Sequence, residues 1–362
     1  MTPRKRAEDF AGVEAQLRTL ERGDGEGELT FGHGATLHVS SLSKPFFPKA
    51  GITKGALMRY YTRVAAYLLP QIEGRALVLK RYPDGVAGPM FFQQNAGEHV
   101  PDVVRVATLG TVDLGEKPRI VGGDLATLLY TVQLGTIEVH PWLSRVEDVD
   151  SPDRCLIDLD PGDGVPFADV AALAREVVRI AEACELTAAV KTSGASGIHI
   201  VLPLPPRTSF ETSADLAMRV AEAVVAANPE KATVERSIKE RPKRSIYVDA
   251  LQNARGKSMA APYSVRAKAG ASVSAPLRPR ELTSRLRIDA FTVGTMPARL
   301  TRAGDLWADA IATRPTARVL ARAMATLQDA PAAASPRRGS TGRSRAGGTH
   351  AGSAAERRPR RT

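Results

Sequence analysis

Leu156-Ile157-Asp158-Leu159-Asp160-Pro161 sets two carboxylates two residues apart within an apolar run. In a strand, residues i and i+2 share a face, with Cα atoms roughly 6–7 Å apart, while Ile157 and Leu159 take the other face. Both acids then converge on one point. Their apolar flanks imply burial, and two like charges side by side in a poorly solvated place are costly unless a cation or proton compensates them. A divalent metal is the natural remedy. The plainer alternative is a strand end whose aspartates cap the next helix or face solvent, because D-x-D is a short pattern.

Outward from this strand, the 362-residue chain is long enough to bury a substantial core. Its 43% hydrophobic and 25% charged residues match an ordinary globular protein. No run of about 18 apolar residues occurs, so no transmembrane helix is expected, and the first thirty residues lack the apolar centre of a signal peptide. Cys155 and Cys184 lie in apolar patterns, which favours buried thiols in a reducing cytoplasm over a disulfide or zinc site. Net charge is +11, but eight Arg against one Glu fall from Pro331 onward, leaving only +4 on residues 1–330. That Ala-, Gly-, Ser- and Pro-rich tail, 331–362, is expected to be disordered. It reads either as an electrostatic arm for nucleic acid or as a solubilising extension.

Before the acid strand, residues 1–28 read as a polar extension with a short helix from Glu8 to Glu21, and order is expected from Leu29. Thr36–Ser40 alternates as a strand, Lys44–Pro48 forms a turn, and Thr53 is placed to cap a helix running to Leu69. Lys44 and Lys54 bracket that helix N-terminus, whose free N–H groups also favour anions, so they form a candidate phosphate site or are simply solvated. Ala76–Tyr82 and Pro89–Gln94 read as paired strands around a Pro83-Asp84-Gly85 turn. On the return strand Phe91 and Phe92 point opposite ways, so one can fill the core and the other is left near Lys80 and Arg81, where it suits base stacking, although a second Phe buried between layers is the commoner outcome. Residues 107–120 read as loop-rich, Asp124 caps a helix through Leu134, and Ile137–His140 begins a strand.

After the acid strand, Pro166–Leu186 has helical periodicity. Ala188–Lys191 and Ile198–Leu204 are strands around Thr192–Gly197, a turn whose backbone N–H groups could approach a phosphate with His199 beside it. Glu211–Ala227 reads as a helix and Glu230–Glu240 as a shorter one. On the Ser245–Asp249 strand, Tyr247 and Asp249 share the face away from Ile246 and Val248, downstream of the basic Arg241-Pro242-Lys243-Arg244. Gln252, Asn253, Arg255 and Lys257 then supply amide and cationic donors that suit a metal-bound polyphosphate. The mixed order of elements predicts an α+β fold rather than a doubly wound parallel sheet.

Taken together these stretches resemble the polymerase domain of bacterial ligase D, a member of the archaeo-eukaryotic primase superfamily used in non-homologous end joining. The resemblance runs from about Leu29 to Trp307 and is carried by seven stretches in family order. They are Leu42–Pro48 with Thr53-Lys54; Lys80–Gly85 with Phe91-Phe92; Glu138–Trp142; and Asp158–Gly162. Lys191–Gly194 with Gly197–His199, Val248-Asp249 with Gln252-Asn253, and Ala261–Arg266 complete the set.

The resemblance implies a primase-polymerase fold with mixed and antiparallel sheets flanked by helices, spanning residues 29–310 with a C-terminal helix over 311–330. It implies a metal-dependent nucleotidyltransferase that extends 3′ ends at gaps or double-strand breaks by two-metal phosphoryl transfer, using Mn2+ or Mg2+ and preferring ribonucleotides. Asp158, Asp160 and Asp249 match the catalytic metal ligands. Ser193, His199, Lys257 and Arg266 match positions around the nucleotide, to which the residue reading adds Gln252. Lys44 and Lys54 match a pair holding the 5′-phosphate of a break, Phe91 and Phe92 match aromatics against template or flanking bases, and His140 matches a position near the primer terminus. Partners implied are gapped or broken DNA, nucleoside triphosphates, Ku and a separate DNA ligase, in the bacterial cytoplasm at the nucleoid. The chain carries no ligase or phosphoesterase segment and so reads as a stand-alone polymerase. None of the arginines at 241–244 is assigned to the triphosphate, because a Gly common in the family before the Asp249 strand is absent. Alternatives are a primase that starts chains de novo and a catalytically idle DNA-end-binding module that recruits a ligase. A metal-dependent nuclease fits the acids but not the donors after Asp249.

Overall fold

The computed structural model describes residues 3–111 and 115–328. The strand carrying the acids, Arg154–Pro161, lies near the centre of a six-stranded sheet. Its neighbours are Ile246–Asp249 on one side and Ile198–Pro203 on the other, both antiparallel. Beyond them lie Ala232–Thr233, paired in parallel with Ile246–Asp249, and Ala189–Thr192 followed by Pro276–Leu277. Alternation divides the central strand cleanly. Cys155, Ile157 and Leu159 are buried towards the helices Phe167–Ala183 and Phe210–Ala227, and the Cys155 thiol donates to the Ser213 carbonyl at 3.4 Å. Arg154, Leu156, Asp158 and Asp160 therefore face the opposite side.

A second sheet has three antiparallel strands in the order Phe91–Gln93, Leu77–Arg81, Thr136–Pro141. Helices Lys54–Ile72 and Leu125–Gln133 pack beside it, each begun by the expected cap: Thr53 Oγ1 accepts from Ala56 N and Asp124 Oδ1 from Thr127 N. The buried Tyr61 hydroxyl donates to the Ile137 carbonyl at 2.6 Å and accepts from Val265 N at 3.1 Å. That one side chain ties helix, sheet and the segment carrying Arg266 together. Both cysteines are buried and unbridged, and among the described residues no helix is long and apolar enough to cross a membrane. The architecture is α+β, with mixed and antiparallel sheets flanked by helices.

Three segments differ from the sequence expectation. The first helix runs Pro3–Arg22 and packs on Lys54–Ile72, burying Val13 and Leu17, with Glu14–Arg63 and Glu21–Arg59 ion pairs at 2.7 Å. Order thus begins well before Leu29; the stripe Phe10, Val13, Leu17, Leu20 supplies an apolar face that the polar average conceals. Where a loop-rich stretch was expected, the described residues form two paired strands, Val106–Thr111 and Gly115–Ile120. The Arg119 guanidinium stacks 4.9 Å over Trp142, a tertiary anchor with no local signature. Residues 230–240 form no helix. Thr233 Oγ1 accepts from Glu235 N and Glu235 Oε1 from Ser237 N, side-chain bonds that compete with helical ones. The C-terminal helix spans Ala317–Gln328, and the basic tail at 331–362 lies outside the described residues.

Asp153, just before the central strand, accepts both Nη2 bonds of the fully buried Arg75 at 2.6 Å. Burial alone raises a carboxyl pKa, but Arg75, Arg154 and Arg145 hold this one down to about 2. A depressed carboxylate stabilises the fold above its unfolded pKa of about 4 and loses that contribution as pH falls towards 2. Denaturant unfolding between pH 5 and 2 is expected to show a loss of about 2–3 kcal/mol from this group, absent in Asp153→Asn. A pH slope identical in the variant contradicts this.

Candidate active site

Register builds the site. Asp158 is paired directly with Asp249 on one neighbour and with His199 on the other, and His199 is paired with Lys191. A single row across four strands therefore reads Asp249, Asp158, His199, Lys191, with Asp160 two residues along beside Tyr247. Burial pushes the Asp158 carboxyl up to about 7, with repulsion from Asp160 and Asp249 adding to it. Asp160 is also raised by burial, against the pull of Arg241. Asp249 is held by Leu251 N at 2.8 Å, Gln252 Nε2 at 3.1 Å and the Tyr247 hydroxyl at 3.4 Å. Among the described residues no three His, Cys, Asp or Glu side chains close into a ready-made metal cage. The donor chemistry nevertheless fits a hard divalent cation: oxygen ligands on one face, in mutual repulsion that a cation relieves.

His199 is nearly buried between two partners. Lys191 Nζ lies 2.6 Å from its Nδ1; with the lysine as donor there, the ring proton sits on Nε2, 3.5 Å from Asp158 Oδ1. Lys191 is fully buried and also donates to Ser274 Oγ at 2.8 Å. Desolvation pushes both bases well below their ordinary pKa, His199 to a neutral imidazole. The ring thus presents one N–H to the acid side.

The turn from Thr192 to Gly197 is tight for a packing reason. A Cβ at Gly197 would collide with the Leu159 carbonyl of the central strand, and at Gly194, with φ of +72°, it would meet Arg266 Cγ at 2.7 Å. Ser193 Oγ accepts from Ala195 N at 3.1 Å and Gly197 N at 3.0 Å, and Ser193 N donates to the Gly197 carbonyl. These three N–H groups are spent inside the turn, so the backbone cradle expected there is narrowed to those of Gly194 and Ser196. Its Ser193 hydroxyl hydrogen remains as donor.

Facing this row is a second one, Phe92, Lys80, Glu138, across the three-stranded sheet. Glu138 is buried and contacts Arg266 Nε at 2.9 Å, Ala267 N at 3.0 Å, His140 Nε2 at 3.1 Å and Lys80 Nζ at 3.2 Å. Burial opposes its ionisation, but these partners hold it well below the usual carboxylate range. Arg266 also donates through Nη1 to the Ser193 carbonyl, bridging the two sheets.

Between them lies a cavity of about 200 Å³. It is walled by Asp158, Asp160, Ser193 and His199 from the acid side, and by His140, Gln252 and Arg266. Asp249 joins through its pairing with Asp158 rather than as cavity wall. Lys257 is exposed outside the wall, Arg255 pairs with Asp150 at 3.2 Å, and Asn253 is spent on the backbone of Leu156, which it grips through both N–H and C=O. Of the donors expected after Asp249, only Gln252 reaches the cavity. Sequence reasoning missed Glu138 and Lys191, although both sit inside stretches it singled out. It also left aside Arg241, which stacks 3.9 Å over Tyr247 and acts on Asp160.

Lys44 and Lys54 adjoin one another away from the cavity. Lys54 is nearly buried, donates from Nζ to the Ser40 carbonyl at 2.9 Å, and is pushed down to about 8 by burial, with Lys44 adding. Lys44 pairs with the exposed Asp84 at 2.7 Å. The first N–H groups of the helix are spent on Lys44 O, Leu42 O and Thr53 Oγ1, so the lysines rather than free N–H groups are what could hold an anion there. Phe91 and Phe92 are 45% and 57% exposed, so neither fills the core. Their short strand is the edge of its sheet, and Arg81 and Lys80 lie 5.0 and 5.9 Å from the two rings.

Comparison with known proteins places this geometry. Residues 53–307 match the family model described as LigD, primase-polymerase domain. The chain is 34% identical over 269 residues to the bifunctional non-homologous end joining protein LigD of Bacillus subtilis, covering 74% of this chain and 43% of that one. It is 31% identical over 283 residues to the multifunctional LigD of Pseudomonas aeruginosa, covering 77% of this chain and 33% of that one. The chain thus spans less than half the length of these relatives. Among solved structures it is similar to the polymerase domain from Mycobacterium tuberculosis ligase D in complex with DNA, with a TM-score of 0.71 and 29% identity over 77% of this chain and 99% of that one.

Because Glu138 is what opposes the desolvation that pushes His140 down, Glu138→Gln is expected to lower the His140 pKa further. Ring-proton NMR titration measures it. The same variant is expected to cost about 3 kcal/mol of stability, because Arg266 is left with a buried unpaired charge; an unchanged His140 titration contradicts the contact.

Proposed function

Since the chain belongs to the LigD primase-polymerase family, we propose that it is a template-directed nucleotidyltransferase that extends 3′ ends at gaps or double-strand breaks in DNA repair, with ribonucleotides preferred. The observation that carries this reading is the pairing of an acid row with facing donors across one cavity. In the reaction the primer 3′-oxygen bonds to the α-phosphorus of a nucleoside triphosphate, the bond to the β-phosphate oxygen breaks, and pyrophosphate leaves. Two Mn2+ or Mg2+ ions held by Asp158, Asp160 and Asp249 would supply Lewis-acid activation and charge neutralisation. Arg266, the Ser193 hydroxyl and the His199 Nε2–H offer the triphosphate donors whose positions are set before substrate arrives. Glu138 aims Arg266 and His140, and His140 stands at the primer side. Gln252 steadies Asp249.

On this reading Phe91 and Phe92, exposed beside cations, stack on template or flanking bases. Lys44 and Lys54 hold the 5′-phosphate of the downstream strand. Ku and a DNA ligase activity are the partners that end joining requires.

Primer extension on a gapped duplex with Mn2+, comparing ribo- and deoxyribonucleotides, tests this. Asp158→Ala is expected to lose extension by roughly 10²–10³-fold or more. A downstream 5′-phosphate is expected to stimulate wild type but not Lys44→Ala. Lys54 is cationic below about pH 8 and neutral above it, so the stimulation is expected to fade as pH rises through 8. Extension indifferent to the 5′-phosphate removes the lysine assignment and favours a primase; tight DNA binding with no extension leaves an end-binding module.

A further inference from the structure

The central strand carries a second polar cluster at its other end. Arg154 lies four residues before Asp158, roughly 13 Å along the strand at the usual rise. Beside it is a cavity of about 310 Å³, larger than that at the acids, walled by Arg145, Asp153, Arg154, Arg314, Gln71 and Pro203. Arg75 lies fully buried behind it.

Four guanidinium groups converge there on one carboxylate. Asp153 meets Arg75 at 2.6 Å, Arg314 at 3.1 Å, Arg145 at 3.4 Å and Arg154 at 3.9 Å. The nearby Glu147 is exposed and pairs with Arg105. Arg154, almost wholly buried, is too far from Asp153 for a hydrogen bond and gives its Nη groups only to the neutral Gln71, at 3.2 and 3.1 Å. Among the described residues, Arg75 Nε is buried with no acceptor. Among them too, one carboxylate balances one of these four cations, leaving three positive charges at a partly desolvated cavity. Buried cations are retained where they are paired, and a lone excess of this kind is costly without a counter-ion. Guanidinium forks match tetrahedral oxyanions with parallel N–H bonds, and Arg145 and Arg314 are exposed enough to reach one.

We propose that this cavity is a second phosphate-binding site, separate from the acid cavity, that takes a phosphate group either as free phosphate or pyrophosphate or on a nucleic-acid backbone. Asp153 holds the forks in place. Arg154 and Arg75 supply the fixed charge, and Arg145 and Arg314 close over the ligand.

Thermal unfolding of the full chain in EDTA tests this, with sodium phosphate, sodium pyrophosphate or a short single-stranded oligonucleotide without terminal phosphates titrated against sodium chloride at equal ionic strength. At least one probe is expected to raise Tm saturably above chloride. Arg266→Ala, at the acid cavity, is expected to keep that response. Arg145→Ala and Arg314→Ala, both part-exposed at the cavity rim, are expected to weaken it roughly tenfold or more. Where the rim variants weaken the response, one to inorganic anions alone identifies a free ligand and one to the oligonucleotide identifies a backbone phosphate. No saturable response above chloride, or one unchanged in both rim variants, overturns the proposal and leaves a structural ion-pair cluster.

Discussion

Repulsion between Asp158 and its neighbours is the constraint on which the rest of this structure depends. Antiparallel pairing puts Asp249 directly opposite Asp158, and alternation adds Asp160 on the same face. A slip of one residue in either pairing would turn an acid into the helical layer that holds Ile157 and Leu159. Much of the surrounding architecture holds that register. Asn253 acts as a substitute strand neighbour for Leu156, and Gly197 lets the next turn press against the Leu159 carbonyl. The strain of gathered charge is kept at one wall of a cavity, where a cation can answer it.

The answering wall is built by a different sheet and by one carboxylate. Glu138 organises Arg266, His140 and Lys80, while Lys191 sets which nitrogen of His199 carries the proton. Neither Glu138 nor Lys191 belongs to the cavity wall. Both act by fixing groups that do, so preorganisation here rests on buried residues behind the surface that substrate meets.

The acid pair was legible because i, i+2 spacing in an apolar run has one geometric outcome in a strand. Strand alternation also picked out Asp249, and the glycine-containing turn drew attention to His199, whereas Ser193 and Arg266 were reachable only because they stand in family motifs. What escaped was tertiary. Lys191 reads as an ordinary strand lysine until Ser274, 83 residues away, is brought to its side chain. Phe91 and Phe92 alternate as a strand should, but alternation says nothing of an edge that no layer covers. The segment 230–240 has helical composition, yet Thr233 and Glu235 satisfy backbone N–H groups locally. The first helix was legible over Glu8–Glu21, but the polar average of the segment hid its apolar stripe of four residues and with it the packing against Lys54–Ile72.

The most direct measurement of the central claim is Mn2+ binding to the metal-free protein by electron paramagnetic resonance or calorimetry, in wild type, Asp158→Asn and Asp249→Asn. If the cross-strand acids form the cation site, wild type binds Mn2+ saturably and each substitution weakens binding at least roughly tenfold, as expected for loss of a charged oxygen ligand. Equal Mn2+ affinity in all three proteins would contradict it.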